Sequence, residues 1–97
     1  MSLPRRRAEL TYEEIEETGE LIVTDPVEDR ATVLNPTAGF VWLSCDGATD
    51  AEGIARAMAD TLGSEAPALE RITGDVAGFL GELRAKKLLV EEAAAAE

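Results

Sequence analysis

The chain contains no histidine and only one cysteine, Cys45, among its 97 residues. Without histidine there is no imidazole for acid–base catalysis, for a catalytic triad or for a metal site. A single cysteine cannot form an internal disulfide or a cysteine cluster for zinc or iron–sulfur. We therefore expect no catalytic residue, no metal site and no cofactor, and we interpret Cys45 as a small buried hydrophobic residue.

Aromatic residues and long apolar runs are also scarce. Phe, Trp and Tyr make up 4% of the chain although 45% of its residues are hydrophobic, so the core should be mostly aliphatic. No apolar run approaches the roughly 20 residues that a membrane helix needs, and no apolar stretch follows the arginines at the N-terminus, as a secretory signal requires. We expect a cytoplasmic protein with one folded domain and no membrane partner.

Acidic residues dominate the charge. The formal net charge is -11, from 9 basic and 20 acidic residues, and residues 11–30 hold eight acids against Arg30 alone. Nucleic-acid affinity depends largely on neutralising phosphates, so a chain this acidic is not expected to bind nucleic acid. The acids serve either solubility or a partner with a basic surface.

The first half of the chain has the pattern of short strands. Strands are predicted over residues 10–17, 21–24 and 30–34, separated by turn residues at Gly19 and at Asp25-Pro26. Connections this short favour an antiparallel meander. Residues 1–9 and 91–97 lack a pattern and are predicted to be flexible tails around a folded domain at 10–90.

Helical signals begin at Asn35-Pro36, an N-cap followed by proline in the first turn. This helix should run to about Cys45 and stop at Gly47. Thr49 and Glu52 have the spacing of a capping box and should open a second helix that ends near Leu62. A third helix, beginning at Ala66-Pro67, has one apolar stripe. The residues of that stripe are Leu69, Ile72, Val76, Phe79, Leu80 and Leu83.

Three strands followed by three helices, the first two helices forming a helix-turn-helix, predict an α+β winged helix-turn-helix fold with a three-stranded antiparallel sheet. Opposite the apolar stripe of the third helix, Gly74, Gly78, Gly81 and Ala85 recur at helical spacing. They indicate a plain solvent face, a surface that another chain approaches closely, or a helix kept loose until a partner binds.

A set of short segments in this order resembles the PqqD family over about residues 18–90. The segments are Val33-Leu34-Asn35, Thr37-Ala38-Gly39, Trp42-Leu43, Cys45-Asp46-Gly47, Ile54-Ala55, Asp75-Val76, Phe79-Leu80, Leu83 and Leu88-Leu89. The resemblance implies a non-catalytic winged-helix module of the kind called a RiPP recognition element. Such modules bind the leader of a ribosomally made precursor peptide and deliver it to a modifying enzyme. In PqqD itself the pathway makes pyrroloquinoline quinone and that enzyme is a radical-SAM protein.

The residues themselves suggest how a peptide would dock. If the third strand is a sheet edge, an added peptide strand would satisfy its unpaired backbone groups. The predicted docking strand is Arg30, Ala31, Thr32 and Val33. The predicted opposite wall is one flank of the third helix, formed by Thr73, Ala77, Leu80 and Arg84. On that flank Leu80 and Ala77 would supply an apolar floor, and Arg84 would pair with an acidic leader residue.

Two other classes of function compete with peptide recognition. A structural or dimerisation subunit would use the same strand edge to pair with its own copy, giving a homodimer. A winged-helix transcriptional regulator would need a basic second helix, whereas this one offers Arg56 against Asp50, Glu52 and Asp60. An enzyme would need a nucleophile and base, and the sequence contains no such pair.

Overall fold

The computed structural model describes the backbone of residues 2–93 and the side chains of residues 3–90. The elements in chain order are β1 (Ser2–Arg6), β2 (Thr11–Glu14), β3 (Leu21–Asp25), β4 (Arg30–Leu34), α1 (Pro36–Leu43), α2 (Ala51–Leu62), a 3-10 turn (Gly63–Glu65), α3 (Leu69–Ala85) and β5 (Leu89–Ala93). Three strands form an antiparallel sheet in the order β2-β3-β4, and β1 and β5 form a separate two-stranded ribbon. The predicted α+β class, the three-stranded antiparallel sheet and the three helices are confirmed.

The first two helices start at side-chain caps, whereas α3 starts after Ala68 without one. Asn35 caps α1 as predicted, since its Oδ1 accepts a hydrogen bond from the Ala38 N–H at 2.8 Å. The cap of α2 is Asp50, one residue after the predicted Thr49, and its Oδ1 accepts from the Gly53 N–H at 2.8 Å. Thr49 instead donates to Asp46 at 3.3 Å. A carboxylate at this position also suits the positive end of the helix.

The core lies between the inner face of the sheet and the three helices. Its fully buried members include Trp42 from α1, Ile54 from α2, Ile72 from α3 and Val23 from β3. The Trp42 indole N–H donates to the Leu88 carbonyl at 3.1 Å, so the one polar atom of this side chain is satisfied inside the core. Cys45 is completely buried, as predicted. None of the helices in the described part of the chain is long and apolar enough to span a membrane.

The N-terminal residues are a difference from the sequence-based expectation. Residues 2–6, placed in a flexible tail, form β1 and pair with β5, with Arg6 opposite Leu89. The Arg6 N–H also donates to the Cys45 carbonyl at 3.2 Å. These contacts use the backbone and join segments far apart in the chain, more than 80 residues for the β1–β5 pairing, so no local side-chain pattern reports them. The domain bounds of 10–90 stay a prediction, and residues 94–97 lie outside the described residues.

A buried ion pair fixes the segment that follows β1. Arg7 Nη1 lies 2.8 Å from Asp25 Oδ2, and Asp25 is 2% exposed. Burial alone would raise the pKa of Asp25, but the N–H groups of Glu28 and Val27 and the Arg7 guanidinium outweigh it, so its pKa lies below the ordinary value. Arg7 also donates to the Lys87 carbonyl at 2.8 Å. One guanidinium thus ties the β3–β4 turn to the end of α3.

Candidate functional site

Strand β4 is an open edge of the three-stranded sheet. It pairs with β3 on one side, with Val33 opposite Ile22, and no strand among residues 2–93 pairs with its other side. Its exposed side chains include Ala31 and Val33, and Val33 is 57% exposed. The strand between Arg30 and Leu34 thus has no charged side chain to discourage pairing along its length.

The hydrogen-bond register identifies which backbone groups of β4 are unpaired. The Ile15 N–H donates to the Glu20 carbonyl at 2.8 Å, which makes this a hydrogen-bonded pair of the β2–β3 hairpin. Hydrogen-bonded and non-hydrogen-bonded pairs alternate along an antiparallel ladder. Ile22, two residues after Glu20, therefore directs its N–H and C=O toward β2. Its other neighbour, Val33, then directs its own N–H and C=O to the open edge.

The same alternation gives the direction of the backbone N–H and C=O groups in the rest of β4. Ala31, two residues before Val33, also presents its N–H and C=O outward, whereas those of Thr32 point to Val23 on β3. The open edge consequently offers two donors and two acceptors at the spacing of an added antiparallel strand. Removing either outward N–H would leave the β3–β4 ladder intact.

A groove runs beside this edge, between β4 and α3. Its first part is a cleft lined by Val33, Leu34, Asn35, Ala38, Phe79, Glu82, Leu83 and Lys86. Its second part is a shallower depression lined by Thr37, Gly74, Asp75, Gly78, Phe79 and Glu82. Phe79 and Glu82 belong to both parts, so the two are continuous, and we refer to them together as the β4–α3 groove. Alternate side chains of a strand added to β4 would point into this groove.

Comparison with known proteins identifies the family. Residues 20–89 match the family model described as coenzyme PQQ synthesis protein D, PqqD, and this stretch is more than half of the 97-residue chain. The chain belongs to the PqqD family. The predicted resemblance is thereby confirmed, and the matched residues include β4, α1 and α3, which build the groove.

A solved structure shares the PqqD-type fold seen here. It is described as TbiB1 in complex with the TbiA(beta) leader peptide, and it superposes with a TM-score of 0.71 at 17% sequence identity. The match covers 96% of this chain and 99% of that one. At this identity the similarity shows the fold. No curated protein matches the sequence.

The docking-strand prediction in this PqqD-family chain agrees with the structure in its geometry. Arg30, Ala31, Thr32 and Val33 lie on the edge strand, and Leu34 turns inward and is 4% exposed. Arg30 stands at the end of the strand, where its Nη2 lies 3.5 Å from the Lys86 carbonyl. That these residues bind a peptide stays a prediction.

The predicted wall on α3 is not the wall that the structure forms. Each of the four predicted residues lies two positions before a residue that lines the groove, so the two sets are separated by about 200° around the helix axis. The predicted residues are Thr73, Ala77, Leu80 and Arg84. Leu80 is only 2% exposed and belongs to the core, so it cannot form a groove floor. Thr73 is half-buried and its hydroxyl donates to the Leu69 carbonyl at 2.9 Å. Ala77 and Arg84 are exposed, but neither lines the groove.

On the helical side the groove is lined by Gly74, Asp75, Gly78, Phe79, Glu82, Leu83 and Lys86, and its large or charged side chains that are not buried are Asp75, Phe79, Glu82 and Lys86. Sequence reasoning missed them because an apolar stripe has two flanks, and the pattern alone does not say which one faces β4. One signal was available. Phe79 is a large aromatic residue at the margin of the stripe, and it is half-buried rather than fully buried, as expected for a side chain that borders a cleft.

A second cavity of about 300 Å³ lies elsewhere, beside the N-terminal arginines and Trp42. Its arginines are already engaged. The Arg6 guanidinium carbon lies 5.5 Å from the Trp42 ring centre and its Nη1 donates to the Leu43 carbonyl at 3.2 Å, while Arg7 pairs with Asp25. Within the described residues no group of three or more His, Cys, Asp or Glu side chains is placed to hold a metal ion.

Proposed function

We propose that this PqqD-family protein binds the leader segment of a ribosomally made precursor peptide by strand addition at the open edge of β4. The observation that carries the proposal is the outward N–H and C=O groups of Ala31 and Val33 beside the β4–α3 groove. Main-chain hydrogen bonds to these groups would supply affinity that is indifferent to sequence, and the groove would select side chains.

Two comparisons support this choice. The family is named for the synthesis of coenzyme PQQ, and the structurally similar TbiB1 is described in complex with a leader peptide. We infer that this chain acts as a non-catalytic winged-helix module in the cytoplasm, without a cofactor. It would deliver its peptide to a modifying enzyme such as a radical-SAM protein.

The β4 edge is a better docking site than the opposite edge of the same sheet. Strand β2 is also unpaired on its outer side within the described residues, but it carries Glu13 and Glu14 next to one another. Charged side chains on an edge oppose pairing with a further strand. The middle residues of β4, which are Ala31, Thr32 and Val33, are uncharged, and a groove lies beside this strand.

The second class of partner is another copy of the chain. A homodimer paired through β4 would occupy the same backbone groups as the peptide, so peptide binding would dissociate it. A nucleic-acid partner is not favoured, because Arg56, the one basic residue of α2, is already paired with Glu52 at 2.7 Å.

The test uses Val33→Pro, which removes an outward N–H without removing a bond to β3. Val33→Ala is the matched control, because it shortens the same side chain and keeps the N–H. Binding of the leader peptide encoded beside the gene, measured by fluorescence anisotropy, should be lost in Val33→Pro and largely kept in Val33→Ala. Circular dichroism should show that both variants fold.

Backbone NMR provides an independent test of the location. Titration with the same leader should shift residues 30–34 together with Phe79, Glu82 and Lys86. Shifts confined to α2 or β2, with those residues unchanged, would contradict the proposed site.

A further inference from the structure

The charged side chains of the β4–α3 groove are sorted by sign along its length. One end is basic, because Lys86 lines the cleft and Arg30, which lies beside the cleft and not in its lining, places its Nη2 3.5 Å from the Lys86 backbone carbonyl. The other end carries Asp75, and Glu82 lies between the two ends. All four side chains are exposed. In the described part of the chain none of Asp75, Glu82 and Lys86 has an ion-pair partner.

The lining residues of the cleft and of the depression show how the charges of α3 are placed relative to the direction of β4. Val33 shares the cleft with Glu82 and Lys86, whereas Thr37, farther along the chain, shares the depression with Asp75. Passing from Arg30 to Thr37 therefore means passing backwards along α3, from Lys86 to Asp75. The basic end lies at the start of β4 and the acidic end lies beyond its C-terminal end.

A peptide added to β4 takes a defined direction along this gradient. Antiparallel pairing is the more stable arrangement per residue. An antiparallel peptide would begin near the acidic end, beside Asp75, and leave at the basic end, beside Arg30 and Lys86. Asp75 on α3 and Lys86, the C-cap residue of that helix, are 11 residues apart, which is about 16 Å along the helix axis. An extended peptide covers that distance in about five residues, at about 3.4 Å each.

We propose that the peptide this protein recognises has a basic residue followed about five residues later by an acidic residue, with an apolar residue between them that enters the cleft beside Phe79. The inference rests on the proposed strand addition at β4. It names the chemistry of the partner, which the open edge alone does not. A peptide with the opposite order of charges would meet a like charge at each end of the groove.

The test is a selection from a displayed library of random 12-residue peptides on the full-length chain. A parallel selection uses the quadruple variant Asp75→Lys, Glu82→Lys, Lys86→Glu and Arg30→Glu, which inverts the gradient by reversing the sign of all four charges and keeps the net charge. The control double variant, Glu52→Lys with Arg56→Glu, exchanges an exposed ion pair on α2, away from the groove, and also keeps the net charge. Selected peptides are then measured individually, and those that lose binding to Val33→Pro are counted as groove binders.

We expect wild type and the α2 control to enrich basic-then-acidic groove binders, and the inverted variant to enrich the reverse order. Each selected peptide should bind its own protein roughly tenfold more tightly than the oppositely charged one, since exposed pairs are individually weak and two of them change sign. Groove binders without a charge order, or with the same order for both proteins, would overturn this inference and leave the proposed function standing. If no selected peptide is sensitive to Val33→Pro, strand addition at β4 fails and the charge order fails with it.

Discussion

Replacing Trp42 by alanine should bring the domain close to unfolding at 37 °C. This side chain is 1% exposed, and its N–H donates to the Leu88 carbonyl at 3.1 Å. The Tyr12 ring meets it edge-on with ring centres 5.4 Å apart, and the Arg6 guanidinium lies on it. Trp42 thus joins α1 to β1, to β2 and to the segment that leads into β5.

The magnitude follows from the buried surface. An aromatic side chain of this kind buries about 150–250 Å². At about 25 cal/mol per Å², that corresponds to about 4–6 kcal/mol, an upper bound because the unfolded chain already buries some surface. Measured Trp-to-Ala changes in cores are about 3–5 kcal/mol. A small domain has about 5–15 kcal/mol in total, so a loss of this size leaves little.

Urea denaturation followed by far-UV circular dichroism is the suitable assay, because the substitution removes the only tryptophan. Trp42→Phe keeps most of the apolar surface but removes the shorter of two hydrogen bonds to the Leu88 carbonyl, which would keep only the Arg7 N–H at 3.5 Å, and should cost about 1–3 kcal/mol. Leu43→Ala, on the next residue of α1 and 37% exposed, is the control and should cost less than about 1 kcal/mol. A free energy of unfolding for Trp42→Ala within about 1 kcal/mol of wild type would refute the central position that the structure gives to this indole.

Three further predictions concern acid stability, the glycine-rich face of α3 and nucleic acid. Because folding lowers the pKa of Asp25, this carboxylate contributes to the free energy of unfolding above its ordinary pKa of about 4, and the contribution is lost as the pH falls further. Thermal melting between pH 2 and 6 should show a smaller acid-induced drop in melting temperature for Asp25→Asn than for wild type. Equal drops would contradict the ion pair with Arg7. Gly81→Ala should raise the free energy of unfolding in urea by about 0.5–1 kcal/mol, because the added Cβ would meet nothing within 4 Å. Gly63→Ala should lower it, because a φ of +66° is strained for alanine. A destabilised Gly81→Ala would mean that another group contacts that face of α3. Gel shift with random duplex DNA at low salt should show no complex at micromolar protein, and a salt-sensitive complex would revive the regulator hypothesis.

Local chemistry determines much of this fold. Strand β4 alternates as expected of a strand with one buried face, with Thr32 half-buried and Leu34 buried between exposed neighbours. Asn35 accepts the capping hydrogen bond that its position before Pro36 indicates. The inward residues of α3 lie on the predicted apolar stripe. These features can be predicted because each depends only on residues that are near one another in the sequence.

The candidate site needed information that no local pattern contains. The stripe of α3 says which side of the helix is buried, and the packing of α3 beside β4 decides which of its two flanks becomes a groove wall. That packing places Phe79, Glu82 and Lys86 beside Val33, and turns Arg84 away.

Long-range backbone pairing was equally hidden from the sequence. Ser2–Arg6 becomes a strand only because residues 89–93 lie alongside it, and backbone hydrogen bonds of this kind leave no signature in side-chain periodicity. The outward direction of the Val33 N–H likewise depends on the register of β2 against β3, set across two hairpins. The sequence by itself determined the three-stranded sheet, the three helices, the cap of α1 and the buried faces of β4 and α3. The tertiary structure decided which edge, which flank and which charges meet, because those depend on how separately formed elements are packed together.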